Sequence, residues 1–277
     1  MDRRTFLRRS AQVGSGVVVG AVAADGIERL RADLVTPEGW GSTIASAPSR
    51  GGLRVWWSAP ESDGGARRMA LTFDDGPTEQ FTARVLDVLA ARQVPATFFM
   101  IGELARRHPD LVRRVRDGGH EIANHSDDHL SAARTDADGV RAGMARAAQT
   151  LEQLGGRRPR WFRPPRGEVT TATLLAARAE GHDLALWSLE RSGSDDGHAV
   201  GGADDDTVGV RQHLSGRVHP GAVVDLHDGI GRSAWVGLPN GGLVTRRETE
   251  VSVLPQVLAA WQDAGYTLVR LSELIPG

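Results

Sequence analysis

Asp74, Asp75, His125, His129, Arg163 and His227 are the residues whose types and spacing are able to do chemistry. Asp74 and Asp75 stand together in Thr72-Phe73-Asp74-Asp75-Gly76-Pro77, after an apolar run and before a Gly-Pro turn. Consecutive residues leaving a strand point in different directions, so two adjacent carboxylates are able to hold different jobs. Alone, Asp-Asp-Gly is also an ordinary turn sequence. His125-Ser126-Asp127-Asp128-His129 sets two imidazoles four residues apart. On a helix they share a face, which suits two-point metal binding. The Glu of the H-E-x-x-H metalloprotease pattern is absent at position 126, so that reading is rejected. The chain has no cysteine. Thiolate sites and disulfides are therefore excluded, and any metal must be held by imidazole and carboxylate groups.

These residues need elements to position them. Short apolar runs occur at Met69–Phe73, Ala96–Met100, His120–Ala123, Trp161–Arg163, Leu184–Trp187, Val223–Leu226 and Thr267–Leu271. Helical periodicity occupies Glu79–Arg92, Glu103–Asp117, Asp136–Leu154, Thr170–Glu180, Thr207–Arg217 and Glu250–Ala264. Seven strands alternating with helices predict a parallel α/β sheet, closed or nearly closed as a barrel. Asp74, Asp75, His125, His129, Arg163, Trp187 and His227 all fall at or just past the C-terminal ends of these runs, the face where α/β barrels build their sites. Residues 190–206 and 228–249 read as long polar or Gly-rich loops, a length that is commonly functional.

The motifs form an ordered set: Asp-Asp-Gly-Pro, H-x-x-x-H, Arg163-Pro164-Pro165-Arg166-Gly167, and Leu226-His227. With Ala70-Leu71-Thr72-Phe73 and Gly119-His120-Glu121-Ile122-Ala123-Asn124, this set resembles the NodB-type polysaccharide deacetylases, carbohydrate esterase family 4, over about residues 67–272. The resemblance implies a distorted (β/α)7-type barrel and a divalent metal, usually Zn2+ and sometimes Co2+ or another transition metal. It implies Asp75, His125 and His129 as metal ligands, Asp74 as the base that takes a proton from water, and Arg163 as the group that orients Asp74. It further implies His227 as the acid for the leaving amine, the backbone N–H of Arg166 as an oxyanion donor, and Trp187 and Leu226 as substrate contacts. The substrate it implies is an N-acetylated or O-acetylated glycan of the cell-wall, chitin or xylan type.

Two departures from the family pattern stand out. Arg166 replaces a frequent Tyr. In the fourth motif, commonly D-x-x-D-W, Glu190 takes the first Asp position, while Gly193 and Ser194 take the Asp-Trp positions. The family's second Asp helps hold the catalytic His, and Asp195 or Asp196 is a candidate to replace it. This departure motivates two alternatives to an active glycan deacetylase: a non-catalytic glycan-binding protein on a decayed scaffold, and an amidase or esterase of the same mechanism acting on a non-sugar substrate.

The remaining sequence is read as address and arm. Residues 1–24 hold Arg3-Arg4-Thr5-Phe6-Leu7, a Gly-rich apolar stretch and Ala21-Val22-Ala23, a pattern resembling a twin-arginine export signal with a small-residue cleavage site. The apolar stretch is shorter than the ~20 residues that span a bilayer. Localisation in the envelope or outside the cell follows, with a tether if the segment is retained. Residues 25–66, with Trp40, Trp56 and Trp57, read as an N-terminal arm carrying a short strand near Leu53–Trp57, and 67–275 as the catalytic domain. Cleavage after Ala23 removes four Arg and one Asp, leaving 29 basic and 34 acidic residues, a net charge of −5. That balance gives no footprint for nucleic acid or an anionic membrane, and a monomer is expected.

Overall fold

The computed structural model describes residues 54–60, 66–191, 206–237 and 240–277. Nine strands form one parallel sheet: β1 (Val55–Trp56), β2 (Arg68–Asp74), β3 (Thr97–Met100), β4 (Glu121–Asn124), β5 (Trp161–Phe162), β6 (Asp183–Ala185), β7 (Leu189–Glu190), β8 (Val223–His227) and β9 (Thr267–Val269). Their order is β1-β6-β5-β4-β3-β2-β8-β7, with β9 pairing to the start of β2. The sheet curls into a distorted barrel. Beyond β1, Ser58 bridges Ala222 and Ala59 N–H donates to Gly221 O, so the chain from one sheet edge reaches the strand that lies beside the other.

The helices are α1 (Thr82–Arg92), α2 (Gly102–Arg107), α3 (Pro109–Asp117), α4 (Ala137–Gly155), α5 (Thr171–Glu180), α6 (Thr207–Arg217), α7 (Ser233–Val236), α8 (Gly241–Asp263) and α9 (Leu271–Leu274). Among the described residues no helix is long and apolar enough to cross a membrane.

The two-residue period of a strand sorts side chains between two compartments. Met69, Leu71 and Phe73 of β2, Phe98 and Met100 of β3, and Val224 and Leu226 of β8 join one buried cluster with Val85 and Leu89 of α1 and Leu254 and Leu258 of α8. Ala70, Phe99, Ala123, Trp161 and Val223 form a second cluster inside the curl, closed by Leu271 and Leu274 of α9. Burial on both faces explains why β2 and β3 read as unbroken apolar runs. The same alternation turns Thr72, Asp74 and Asp225 to the face opposite Leu71, Phe73 and Leu226.

The structure corrects the sequence-based elements at three places. The expected helix at 103–117 is two helices, because Pro109 removes an N–H and starts α3 afresh after His108. Residues 228–249, read as a loop, contain α7 and the first nine residues of α8. Strand β7 is two residues long, too short to show a period. The short strand expected near Leu53–Trp57 is present as β1, which pairs with β6, and Trp56 is buried in the inner cluster. The loop 190–206 lies almost wholly outside the described residues, as do residues 1–24 and Trp40.

Candidate active site

Strand β2 delivers both carboxylates. Asp74 ends the strand in extended geometry, and Asp75 follows with a left-handed φ of 73°. That change of region directs the two side chains apart. Gly229 makes room for the turn: a Cβ there would stand 1.9 Å from Asp75 O.

His125 and His129 arrive on a loop, correcting the helical premise of their spacing. Strand β4 ends at Asn124, and Ser126 and His129 both adopt left-handed φ, of 66° and 52°. The loop is tied down at the start of α2, where Gly102 and Glu103 N–H donate to Ser126 O and Asp127 O. Asn124 Oδ1 accepts from Ser126 N–H at 2.9 Å. Arg106 and Arg146 hold the Asp127 carboxylate at 2.8 and 3.0 Å. These orphan helix N–H groups and the paired carboxylate hold the loop in a conformation that brings both imidazoles to Asp75.

The product is a compact three-residue group. His129 Nε2 lies 3.0 Å and His125 Nε2 3.6 Å from Asp75 Oδ1. One ligand atom from each of Asp75, His125 and His129 lies within 4.8 Å of the others. Asp75 Oδ1 is buried, and among the described residues no donor is aligned to hydrogen-bond it. His125 Nδ1–H donates to Arg163 O at 2.8 Å, which leaves Nε2 as the inward-facing lone pair. Burial alone would raise the Asp75 carboxyl, but His129 and His125 hold it well below the usual carboxylate range. Burial likewise opposes charge on His125, and Asp74 and Asp75 overcome it and raise that imidazole. Two imidazoles and one carboxylate converging in this way fit a divalent cation with an open coordination position.

Arg163 lies behind Asp74 and is fully buried. Its Nη1 reaches Asp74 Oδ1 at 2.7 Å, Asp225 Oδ1 at 2.8 Å and Thr72 Oγ1 at 2.9 Å. Its Nε and Nη2 donate to Ala185 O and Leu186 O, each at 3.0 Å. Every side of the fork is occupied, so Asp74 keeps one orientation, with Oδ2 3.7 Å from His125 Nε2. Asp225 is the less comfortable carboxyl: burial first, then the charge of Asp74, pushes it well above the ordinary value, against the pull of Arg163.

His227 ends β8 directly opposite Asp74 in the register. Its backbone N–H donates to Glu250 Oε2 at 2.7 Å, and its Nδ1 lies 3.5 Å from the same oxygen. Arg247 links this corner to the cation group, with Nη1 3.1 Å from Glu250 Oε1 and Nη2 3.4 Å from Asp75 Oδ2. Asp228 N–H donates to Asp74 O, while its carboxylate accepts from Thr82 Oγ1 at 2.6 Å. Burial pushes the Asp228 carboxyl up to about 7.

The three expected substrate contacts differ in placement. Arg166 has a left-handed φ of 59° and an exposed side chain in the turn Pro165–Gly167. Trp187 packs over Gly167 with its ring centroid 5.5 Å from the Arg163 guanidinium carbon. Leu226 is the correction: it is 1% exposed in the helix-facing cluster, because alternation along β8 turns it away from the face that carries Asp225 and His227.

The site thus contains four groups that sequence reasoning did not place in it: Asp225, Arg247, Glu250 and Asp228. Asp225 had a readable sign, a lone charge inside the apolar run Val223-Val224-Asp225-Leu226. Arg247 and Glu250 fell in or beside a stretch read as loop.

Comparison with known proteins agrees with this geometry. The family model for polysaccharide deacetylase matches residues 61–185. The chain is 31% identical over 221 residues to a peptidoglycan-N-acetylglucosamine deacetylase of Bacillus cereus, covering 80% of this chain and 92% of that protein. It is 32% identical over 211 residues to a chitooligosaccharide deacetylase of a Bradyrhizobium species, covering 76% and 91%. A crystal structure of a peptidoglycan N-acetylglucosamine deacetylase superposes with a TM-score of 0.66 at 27% identity, covering 80% of this chain and 92% of that one. Parallel curled sheet, motif order and relatives converge, and the chain belongs to the NodB-type polysaccharide deacetylase family, carbohydrate esterase family 4.

Proposed function

We propose that this protein is a metal-dependent hydrolase that removes N-acetyl groups from an envelope glycan, with peptidoglycan N-acetylglucosamine the first substrate to test. The observation that carries the reading is the pairing of an oriented carboxylate with a cation-holding group: Arg163 fixes Asp74 Oδ1, and Asp74 Oδ2 faces the cluster of Asp75, His125 and His129. Relatives that act on peptidoglycan and chitooligosaccharide support the substrate class.

When bound by Asp75, His125 and His129, a divalent cation such as Zn2+ or Co2+ supplies Lewis acidity and lowers the pKa of water from 15.7 towards ~7. Asp74 takes the proton of the attacking water at Oδ2, and its clamp by Arg163 keeps that oxygen aimed. The Arg166 N–H donates to the acetyl oxygen as negative charge develops, an effect worth about 3–4 kcal/mol per good donor. His227 hands a proton to the glucosamine nitrogen as the C–N bond breaks, because an amide nitrogen leaves poorly until protonated. Trp187 forms an apolar wall beside the acetyl group. The reading includes export by the twin-arginine route, supported by Arg3-Arg4-Thr5-Phe6-Leu7 and the apolar stretch after it.

The test is acetate release on N-acetylglucosamine oligomers, peptidoglycan and acetylxylan. Release from the first two with little from acetylxylan is the expected result. Retained zinc with no acetate from any of the three would move the protein to the glycan-binding or non-sugar alternatives.

A further inference from the structure

We propose that Glu250, on α8, is the positioning residue that orients His227 for proton delivery to the leaving amine. The inference rests on the reading of His227 as the proton donor.

Glu250 is buried to 1% exposure, and each of its oxygens has a distinct task. Oε1 faces cations: Arg247 Nη1 at 3.1 Å and Arg191 Nε at 3.2 Å. Oε2 faces His227, accepting the backbone N–H at 2.7 Å and standing 3.5 Å from Nδ1. A carboxylate withdrawn from water to this degree is costly unless paired, and here one of its oxygens is set against an imidazole.

The backbone bond fixes where Oε2 sits relative to the ring. At 3.5 Å the two atoms are just beyond a good hydrogen bond, and such bonds commonly tighten when substrate binds. With Nδ1–H committed to Glu250, Nε2 is the nitrogen left to face the site. A carboxylate behind an imidazole sets tautomer and ring orientation in this way.

The helix supplies the geometry. Arg247 and Glu250 are three residues apart, so they share a face of α8. Arg247 also donates to Gly229 O at 2.7 Å and reaches Asp75 Oδ2 at 3.4 Å. One turn of α8 therefore spans from the cation group to the proton donor. Gly193, at the position where the family pattern has its His-holding Asp, has no side chain to do this work. Asp195 and Asp196 are the rival suppliers.

The experiment compares the zinc-loaded full chain with Glu250→Gln, Glu250→Asp, Asp195→Asn and Asp196→Asn on two substrates. One is an N-acetylglucosamine oligomer, whose amine must be protonated to leave. The other is 4-nitrophenyl acetate, whose phenolate leaves without help. For Glu250→Gln, kcat on the amide should fall about 100-fold with little change in KM, while the ester rate should fall no more than a few-fold. Glu250→Asp should regain part of the amide rate, and the Asp195 and Asp196 variants should keep the wild-type ratio of amide to ester. An equal fall on both substrates, an unchanged amide rate in Glu250→Gln, or a selective amide loss in Asp195→Asn or Asp196→Asn would overturn the assignment.

Nitrogen NMR of His227 separates this from failure of the parent reading. In the zinc-loaded protein the neutral ring should be the Nδ1–H tautomer, and Glu250→Gln should shift it towards Nε2–H, the form that free imidazole side chains favour. If the wild type releases no acetate at all, that shift still supports the Glu250 assignment, and an unchanged tautomer refutes it.

Discussion

Replacing Arg163 by Met tests whether the buried guanidinium is what keeps two carboxylates inside the barrel. Met preserves an apolar stem against Phe99, whose ring centroid lies 4.0 Å from the guanidinium carbon, and removes the charge. Asp74 and Asp225 then lose a partner at 2.7 and 2.8 Å. Stranding a buried charge costs about 3–5 kcal/mol, a large fraction of the 5–15 kcal/mol that typically holds a domain together. Asp225→Asn removes one of the stranded charges, so Arg163→Met/Asp225→Asn should be more stable than the two single costs predict, with a coupling of at least ~1 kcal/mol. The pH dependence has a fixed sign. Burial and Asp74 already raise the Asp225 carboxyl in the folded state, and losing Arg163 raises it further. A carboxyl whose folded pKa exceeds its unfolded value destabilises at high pH, and that penalty shrinks as pH falls below the folded pKa towards the unfolded one. The cost of Arg163→Met should therefore be smaller at an acidic pH than at an alkaline one. Urea unfolding of the four proteins at both pH values measures this. Additive single costs and a penalty independent of pH would refute the reasoning. Acetate release should remain absent in the double variant even as stability returns, because Asp74 has lost its clamp.

Two further predictions follow from other parts of the chain. Burial lowers His182 from 6.5 to about 4 while its Nε2 lies 3.3 Å from Asn124 Nδ2, so the unfolded chain binds a proton that the folded one refuses across this window. Stability should fall with acidification from pH 7 to about 4.5, and His182→Gln should reduce that fall by about 2.5 kcal/mol in urea titrations; an unchanged pH slope would contradict it. Arg3-Arg4→Lys-Lys should block export, read as loss of the protein from the envelope and medium, and normal secretion of that variant would remove the twin-arginine claim.

Much of the site was legible because each reactive side chain stands just past an apolar run. Asp74, Asp75, His125, Arg163 and His227 close or follow β2, β4, β5 and β8, and a strand end is visible from composition alone. His129 was legible as a partner but for the wrong geometric reason: two left-handed residues, not a helical turn, bring it to Asp75. The rest was hidden by pairing. Arg247 and Glu250 are buried polar residues that satisfy one another, so the start of α8 lacks the apolar stripe by which helices are read, and Gly241-Gly242 argues further against helix. Leu226 was misplaced because adjacency to His227 in sequence is opposition across a strand.

The most direct test of the central claim measures bound metal and acetate release together in three proteins, with an N-acetylglucosamine oligomer as substrate. Wild type should bind zinc, lose activity when stripped and regain it on zinc addition. Asp74→Asn should keep its zinc and lose at least about 100-fold in turnover, the contribution expected of a general base. His125→Ala should lose both. Acetate release that persists in stripped wild type, or equal loss of metal in Asp74→Asn and His125→Ala, would contradict the division between a proton-moving Asp74 and a cation held by Asp75, His125 and His129.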